Sequence, residues 1–146
     1  MPDFRFYHSI QVRYGDLDPQ GHVNNARFLT YMEQARVAYI QHLGLWNGGS
    51  FLDFGLILAD AQVTFLQPIF FNQQVQVGVR VTRLGNKSLT MEYRLVDPQQ
   101  DLELAKGRTI QVAYDYRLGK SIPIPENWCS VIQDFEGLDS GLEGSS

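Results

Sequence analysis

The chain has 146 residues, a net charge of -4 and 44% hydrophobic content, enough for one domain with a real core. That charge balance argues against a nucleic-acid-binding surface, which shows a basic excess. No apolar run approaches the ~20 residues that span a bilayer, and "MPDFRFYHSI" lacks the unbroken apolar stretch of a signal peptide. The expected setting is therefore the cytoplasm, with no membrane partner. One cysteine, Cys129, allows neither an intrachain disulfide nor a thiolate metal cluster, and it reads as an ordinary thiol.

In chain order, "FRFYHSIQVRY" places Phe4, Phe6, Ile10, Val12 and Tyr14 on one parity, which predicts a strand. A polar stretch, "YGDLDPQGHVNN", follows. Then "ARFLTYMEQARVAYIQHLG" carries Phe28, Met32, Ala35, Tyr39 and Leu43 at steps of three or four, with Leu29, Tyr31 and Ile40 widening the face. That spacing predicts a long, mostly buried helix, capped by Asn24 or Asn25 and stopped at Gly44. After "GLWNGGSFLDFG" come four strand-like segments: "LILADAQVTFLQPI", "QVQVGVRVTRLG", "SLTMEYRLVD" and "LELAKGRTIQVAYDY". Turn signals in "LGNKS" and "DPQQD" join them as hairpins. The order predicts an α+β domain, one antiparallel sheet of five strands with one central helix. "IPIPENWCSVIQDFEG" reads as a loop with a short helix, and about residues 132–146 as a flexible tail within a single domain spanning 1–146.

The polar stretch admits several readings. Asp, Pro, Gly and Asn form turns and start helices, so it could be a connection and nothing more. Asp16, Asp18, Gln20 and Gly21 imitate the start of a calcium loop, but Arg27 falls where the bidentate glutamate belongs. Asp16, Asp18 and His22 could ligate a transition metal, yet His8 and His42 lie in other elements without ligand spacing, so no metal is expected. An aspartyl phosphotransferase needs parallel strands alternating with helices, which this chain lacks. Acyl transfer to water fits better. A helix N-terminus offers unpaired N–H groups and partial positive charge for a thioester carbonyl. A carboxylate just before it can act as nucleophile or as base for water. Gly21 would let the chain turn tightly beside a substrate.

"YGDLDPQGHVNNARFLTYMEQAR" resembles the signature of the hotdog-fold acyl-CoA thioesterases of the 4-hydroxybenzoyl-CoA thioesterase type. The resemblance extends through "FLQPIFFNQQVQV" to "IPIPENW", over about residues 5–130. It implies a sheet wrapped around the helix, hydrolysis of acyl-CoA to a carboxylic acid and free coenzyme A, and no cofactor beyond the substrate's own coenzyme A. It assigns Asp18 as the catalytic carboxylate, the backbone N–H of Asn25 as oxyanion donor, Gly21 as the motif glycine and Asp16 as a structural brace. It also implies a homodimer or homotetramer with sites between subunits. "HVNN" departs from the aromatic-CoA pattern and resembles acyl-carrier-protein thioesterases and long-chain acyl-CoA thioesterases, so His22 and Asn24 either touch substrate or brace the site. Carrier-protein thioesters, or non-catalytic acyl-CoA binding, are the alternative functions.

Four further residues are lesser substrate-binding candidates. Asp60 is an acid among apolar neighbours on the parity of Leu58, Gln62 and Thr64. Lys87, Ser88 and Arg83 flank the Gly85-Asn86 turn and could hold coenzyme A phosphates. Glu33, beside the Met32 stripe, reads as structural.

Overall fold

The computed structural model describes residues 4–138. Its elements are β1 (Tyr7–Ile10), α1 (Asn25–His42), β2 (Leu56–Phe65), β3 (Val75–Leu84), β4 (Ser88–Asp97), β5 (Leu102–Asp115), β6 (Lys120–Ser121) and α2 (Glu126–Glu136). The strands form one antiparallel sheet in the order β1-β3-β4-β5-β2, with β6 added to β5. The α+β expectation is met, but the described residues form six strands rather than five. The sixth has two residues, too few to show any alternation in the sequence.

Alternation along β3 turns Val75, Val77, Val79 and Val81 inward, and β4 adds Leu89, Met91, Tyr93 and Leu95. Helix α1 covers this face with Phe28, Met32, Ala35 and Tyr39, all buried. Full burial of a side chain such as Met32 stabilises by roughly 1.5–3 kcal/mol. Gly107, in the middle of β5, permits the close approach: a Cβ there would stand 2.4 Å from Met32 Cε. Beneath the helix, Arg36 donates to the Tyr93 hydroxyl at 3.1 Å, and that hydroxyl meets Thr109 Oγ1 at 2.7 Å. These buried polar groups satisfy one another, as a dry interior requires.

Both ends of α1 follow from their residues. The Asn24 side chain accepts from the Ala26 amide at 2.9 Å. At the other end, the amides of Gly44 and Leu45 return to the carbonyls of Gln41 and Ile40, which satisfies two otherwise orphaned acceptors.

Three expectations need correction. Tyr14, assigned to the inward parity, is 82% exposed, because the strand ends at Ile10 and the chain enters a single 3-10 turn at Tyr14–Asp16. The tail does not begin at 132: α2 runs to Glu136 and Ile132 is fully buried. Glu136 anchors this helix by accepting from the Tyr39 hydroxyl and from the Val81 amide. The rest of the expected tail, residues 139–146, lies outside the described residues. Finally, Asp60 does not share a face with Leu58. The register shifts between them, so Leu58 stands opposite buried Gln111 whereas Asp60 stands opposite Ile110.

Candidate active site

The polar stretch folds into a closed loop between β1 and α1. Leu17 and Val23 bridge its base. Above them the Asp18 amide donates to the His22 carbonyl at 2.7 Å, and the Gly21 amide donates to the Asp18 carbonyl at 3.0 Å. Asp-Pro-Gln-Gly suits such a turn, with proline at its second position and glycine at its fourth. Gly21 has φ of +85°, where a side chain would be strained.

The Asp18 carboxylate belongs to this turn by one oxygen only. Its Oδ1 accepts from the amides of Gln20 at 2.9 Å and His22 at 3.1 Å. Among the described residues no donor reaches Oδ2. Asp18 and Asn25 both line an open cleft of about 400 Å³, with His22, Phe28, Phe65 and Leu66. Asn25 is the first residue of α1, so its amide has no intrahelical acceptor. A residue with a free carboxylate oxygen and a residue with a free helix-end amide therefore line the same cleft.

Asp16, two residues earlier, is buried, with two hydrogen bonds on Oδ2 and Arg27 near Oδ1. Its carboxylate accepts from the Tyr31 hydroxyl at 2.7 Å and the Arg13 amide at 3.0 Å, and Arg27 Nε lies 3.7 Å away. Burial works to raise its pKa. The Arg13 amide, the Tyr31 hydroxyl and the charges of Arg13 and Arg27 outweigh that and hold it below the usual carboxylate range. Burial and the bond to Asp16 push the Tyr31 phenol well above its ordinary pKa. His22 meets Phe70 edge to face at 5.0 Å between centroids, and Asn24 is the helix cap. Tyr31, Phe28, Phe65 and Phe70 carried no functional signal in the sequence, since each reads as an ordinary apolar position of a helix, strand or loop. Among the described residues no three His, Cys, Asp or Glu side chains gather as a metal site.

Arg83, Lys87 and Ser88 are not brought together with Asp18 in this chain. Ser88 stands opposite Val112, which stands opposite Ile57, whereas the Asp18 cleft lies by Phe65 at the other end of β2. At about 3.3 Å per residue those ends are about 25 Å apart. Asp60 is exposed in the middle of β2, at the sheet's edge. Glu33 is half exposed, 4.0 Å from Arg36. Burial, then the charge of Glu126, raises the pKa of the Cys129 thiol, which suits an inert residue.

The profile of the thioesterase-like superfamily matches residues 12–132. The crystal structure of a thioesterase from Thermus thermophilus, complexed with coenzyme A and Zn, is 37% identical with a TM-score of 0.80, covering 94% of this chain and 98% of that one. A 1,4-dihydroxy-2-naphthoyl-CoA thioesterase from Synechocystis shares the fold at 23% identity, with a TM-score of 0.77 over 88% of this chain and 96% of that one. A 1,4-dihydroxy-2-naphthoyl-CoA hydrolase from Microcystis aeruginosa is 24% identical over 126 residues, 83% of this chain and 90% of the relative. The chain belongs to the thioesterase-like superfamily and is, by family, a thioester hydrolase.

Proposed function

We propose that the protein hydrolyses acyl-CoA in the cytoplasm, with Asp18 as the working carboxylate and the N-terminus of α1 as the oxyanion site. The observation that carries this reading is that Asp18, whose Oδ2 accepts no hydrogen bond from the described residues, and Asn25, the first residue of α1, line one cleft. The carbonyl oxygen of the thioester accepts from Asn25 N–H, and the helix end stabilises negative charge as it develops there. Asp18 Oδ2 either attacks the carbonyl carbon, expelling coenzyme A thiolate and leaving a mixed anhydride for water to open, or takes a proton from an attacking water. Both routes yield the carboxylic acid and free thiol, and neither calls on a metal or redox cofactor. Gly21 keeps the turn tight, Asp16 braces it, and His22 and Asn24 support it from the loop.

The working unit in this reading is at least a homodimer. β2 is an edge strand whose Leu58 and Phe65 are exposed, and an apolar edge with free backbone groups is a template for another strand. Antiparallel pairing of β2 with its copy would bring the partner's opposite sheet end beside the Asp18 cleft. That arrangement gives Arg83, Lys87 and Ser88 a route to the neighbouring subunit's substrate phosphates. A tetramer would add a second such dimer.

Asp18→Asn is expected to keep the fold and lose about 10²–10⁴-fold in kcat, the range for a positioned base. A folded variant with wild-type turnover would sink the assignment. A coenzyme A-bound relative at 37% identity supports coenzyme A as the thiol carrier; one acyl group offered on coenzyme A and on carrier protein decides between them.

A further inference from the structure

The Asp18 loop is held on two sides: the Val23 amide donates to the Ile69 carbonyl at 2.8 Å and His22 bridges to Phe70 on one, and Asp16 anchors the other. Asp16 accepts from Arg13 at the exit of the first strand, its carbonyl accepts from the Asn24 amide at 2.8 Å at the start of α1, and its carboxylate reaches Tyr31 inside the helix. The segment from Leu17 to Val23, which carries Asp18, is closed on itself by the Leu17–Val23 bridge, with Asp16 at its entry. Arg27, the other side chain near Asp16, approaches from the half-exposed first turn at 3.7 Å. The Tyr31 hydroxyl is thus the buried side-chain partner of Asp16, on a residue 3% exposed.

We propose that Tyr31 is a positioning residue for hydrolysis, acting through Asp16 to hold Asp18 in line with the Asn25 amide. This rests on the reading of Asp18 as the working carboxylate. A buried carboxylate demands donors and a buried phenol demands a partner, so each fixes the other. The bond joins the loop base to the second turn of the helix whose first amide is the oxyanion donor. Carboxylate and donor are then referred to one rigid element. Tyr31 itself is buried and is not among the residues that line the Asp18 cleft. A displacement on the order of 1 Å at a reacting group can cost about 100-fold in rate, and losing the Tyr31 bond loosens the Asp16 side of the loop, leaving only the Ile69 and Phe70 side fixed.

The test is Tyr31→Phe, assayed with hexanoyl-CoA and benzoyl-CoA by thiol release. A cooperative thermal melt and about a 10–100-fold lower kcat are expected, with KM within about twofold. The acid limb of the kcat profile moves to higher pH, because Asp16 loses a donor that keeps it ionised. Asp16→Asn is expected to be slow in the same way, and adding Tyr31→Phe to it slows the enzyme no further. If Tyr31→Phe does not fold, Asp16→Asn carries the same expectation of a loss in kcat with KM retained. Wild-type kcat in a folded Tyr31→Phe overturns the proposal. So does a loss in KM alone, or a loss with an unmoved acid limb that adds fully to that of Asp16→Asn. Asp18→Asn is measured beside them: wild-type turnover there overturns the reading of the site itself, whereas wild-type turnover in Tyr31→Phe alone removes only the clamp.

Discussion

Asp18 and His22 are joined twice through the His22 main chain: the Asp18 amide donates to the His22 carbonyl at 2.7 Å, and the His22 amide donates to Asp18 Oδ1 at 3.1 Å. The imidazole takes no part in either bond and rests edge-on against Phe70. His22→Ala should therefore preserve the carboxylate's orientation. About a tenfold or smaller fall in kcat is expected, against the ~10²–10⁴-fold loss for Asp18→Asn. Steady-state rates of the two variants side by side check this, and equal losses would give the imidazole a direct chemical part.

Asn25 is assigned a role through its backbone, which a side-chain substitution leaves in place. Asn25→Ala should keep kcat within about threefold, since removing a solvent-exposed side chain leaves the N–H donor untouched. Asn25→Pro removes the N–H itself. Proline is favoured at the first position of a helix, and Asn24, with φ of -59° and ψ of 138°, already has the extended conformation that precedes proline. Stability should hold while kcat falls by about 10²–10³-fold. Thermal melts and turnover together decide it: a proline variant with wild-type turnover would remove the oxyanion assignment.

The contrast between these residues marks what was legible in the sequence. α1, β3 and β4 follow from spacing, because their side chains meet one core face at a fixed period. The two aspartates stand out as a pair, but their division of labour does not. Asp16 and Asp18 differ in which partners surround them, and Tyr31 lies fifteen positions beyond Asp16 in a helix where a tyrosine looks like core. The bulge that moves Asp60 off the Leu58 face is likewise a property of pairing with β5, invisible along β2 alone. The end of α2 reads as tail in the sequence because its anchor, Glu136, is an acid whose partners come from α1 and β3.

Asp16 should also shape stability at low pH. Its folded-state pKa lies below the ordinary value, so the folded protein binds fewer protons than the unfolded chain between the two values. Its contribution is complete above the unfolded pKa of about 3.9 and disappears as pH falls through the folded value. Denaturant titrations at stepped pH should show wild type losing stability below about pH 4. Asp16→Asn should be less stable at neutral pH and flatter in the acid range. An unchanged acid slope would mean that other carboxylates carry it.

Gly107 and Met32 test how closely α1 lies on the sheet. The added methyl of Gly107→Ala would collide with Met32 Cε, a flexible group, so the helix and sheet are strained apart rather than disrupted. A loss of about 1–3 kcal/mol in unfolding free energy is expected for such overpacking. Met32→Ala leaves a cavity and costs about 2–5 kcal/mol alone. The double variant should lose less than the sum, because each change relieves the other. Strict additivity in chemical denaturation would show that the two do not meet.

Among the described residues, β2 leaves one edge of the sheet unpaired within the chain. Leu58 is 37% exposed on β2, opposite buried Gln111, on the side of the sheet that carries the core. A folded monomer loses little by exposing a charge there, since surface substitutions usually stay within about 0.5 kcal/mol. In a β2-to-β2 dimer the same charge would be buried without a partner, at a cost of several kcal/mol per ion. Leu58→Glu is therefore expected to sediment as a folded monomer where wild type sediments as a dimer or larger. If Asp18 works with groups from the neighbouring subunit, turnover should fall with it and recover as protein concentration rises. A monomeric Leu58→Glu with full turnover would place the whole site within one chain, and a wild-type monomer would end the case for pairing through this edge.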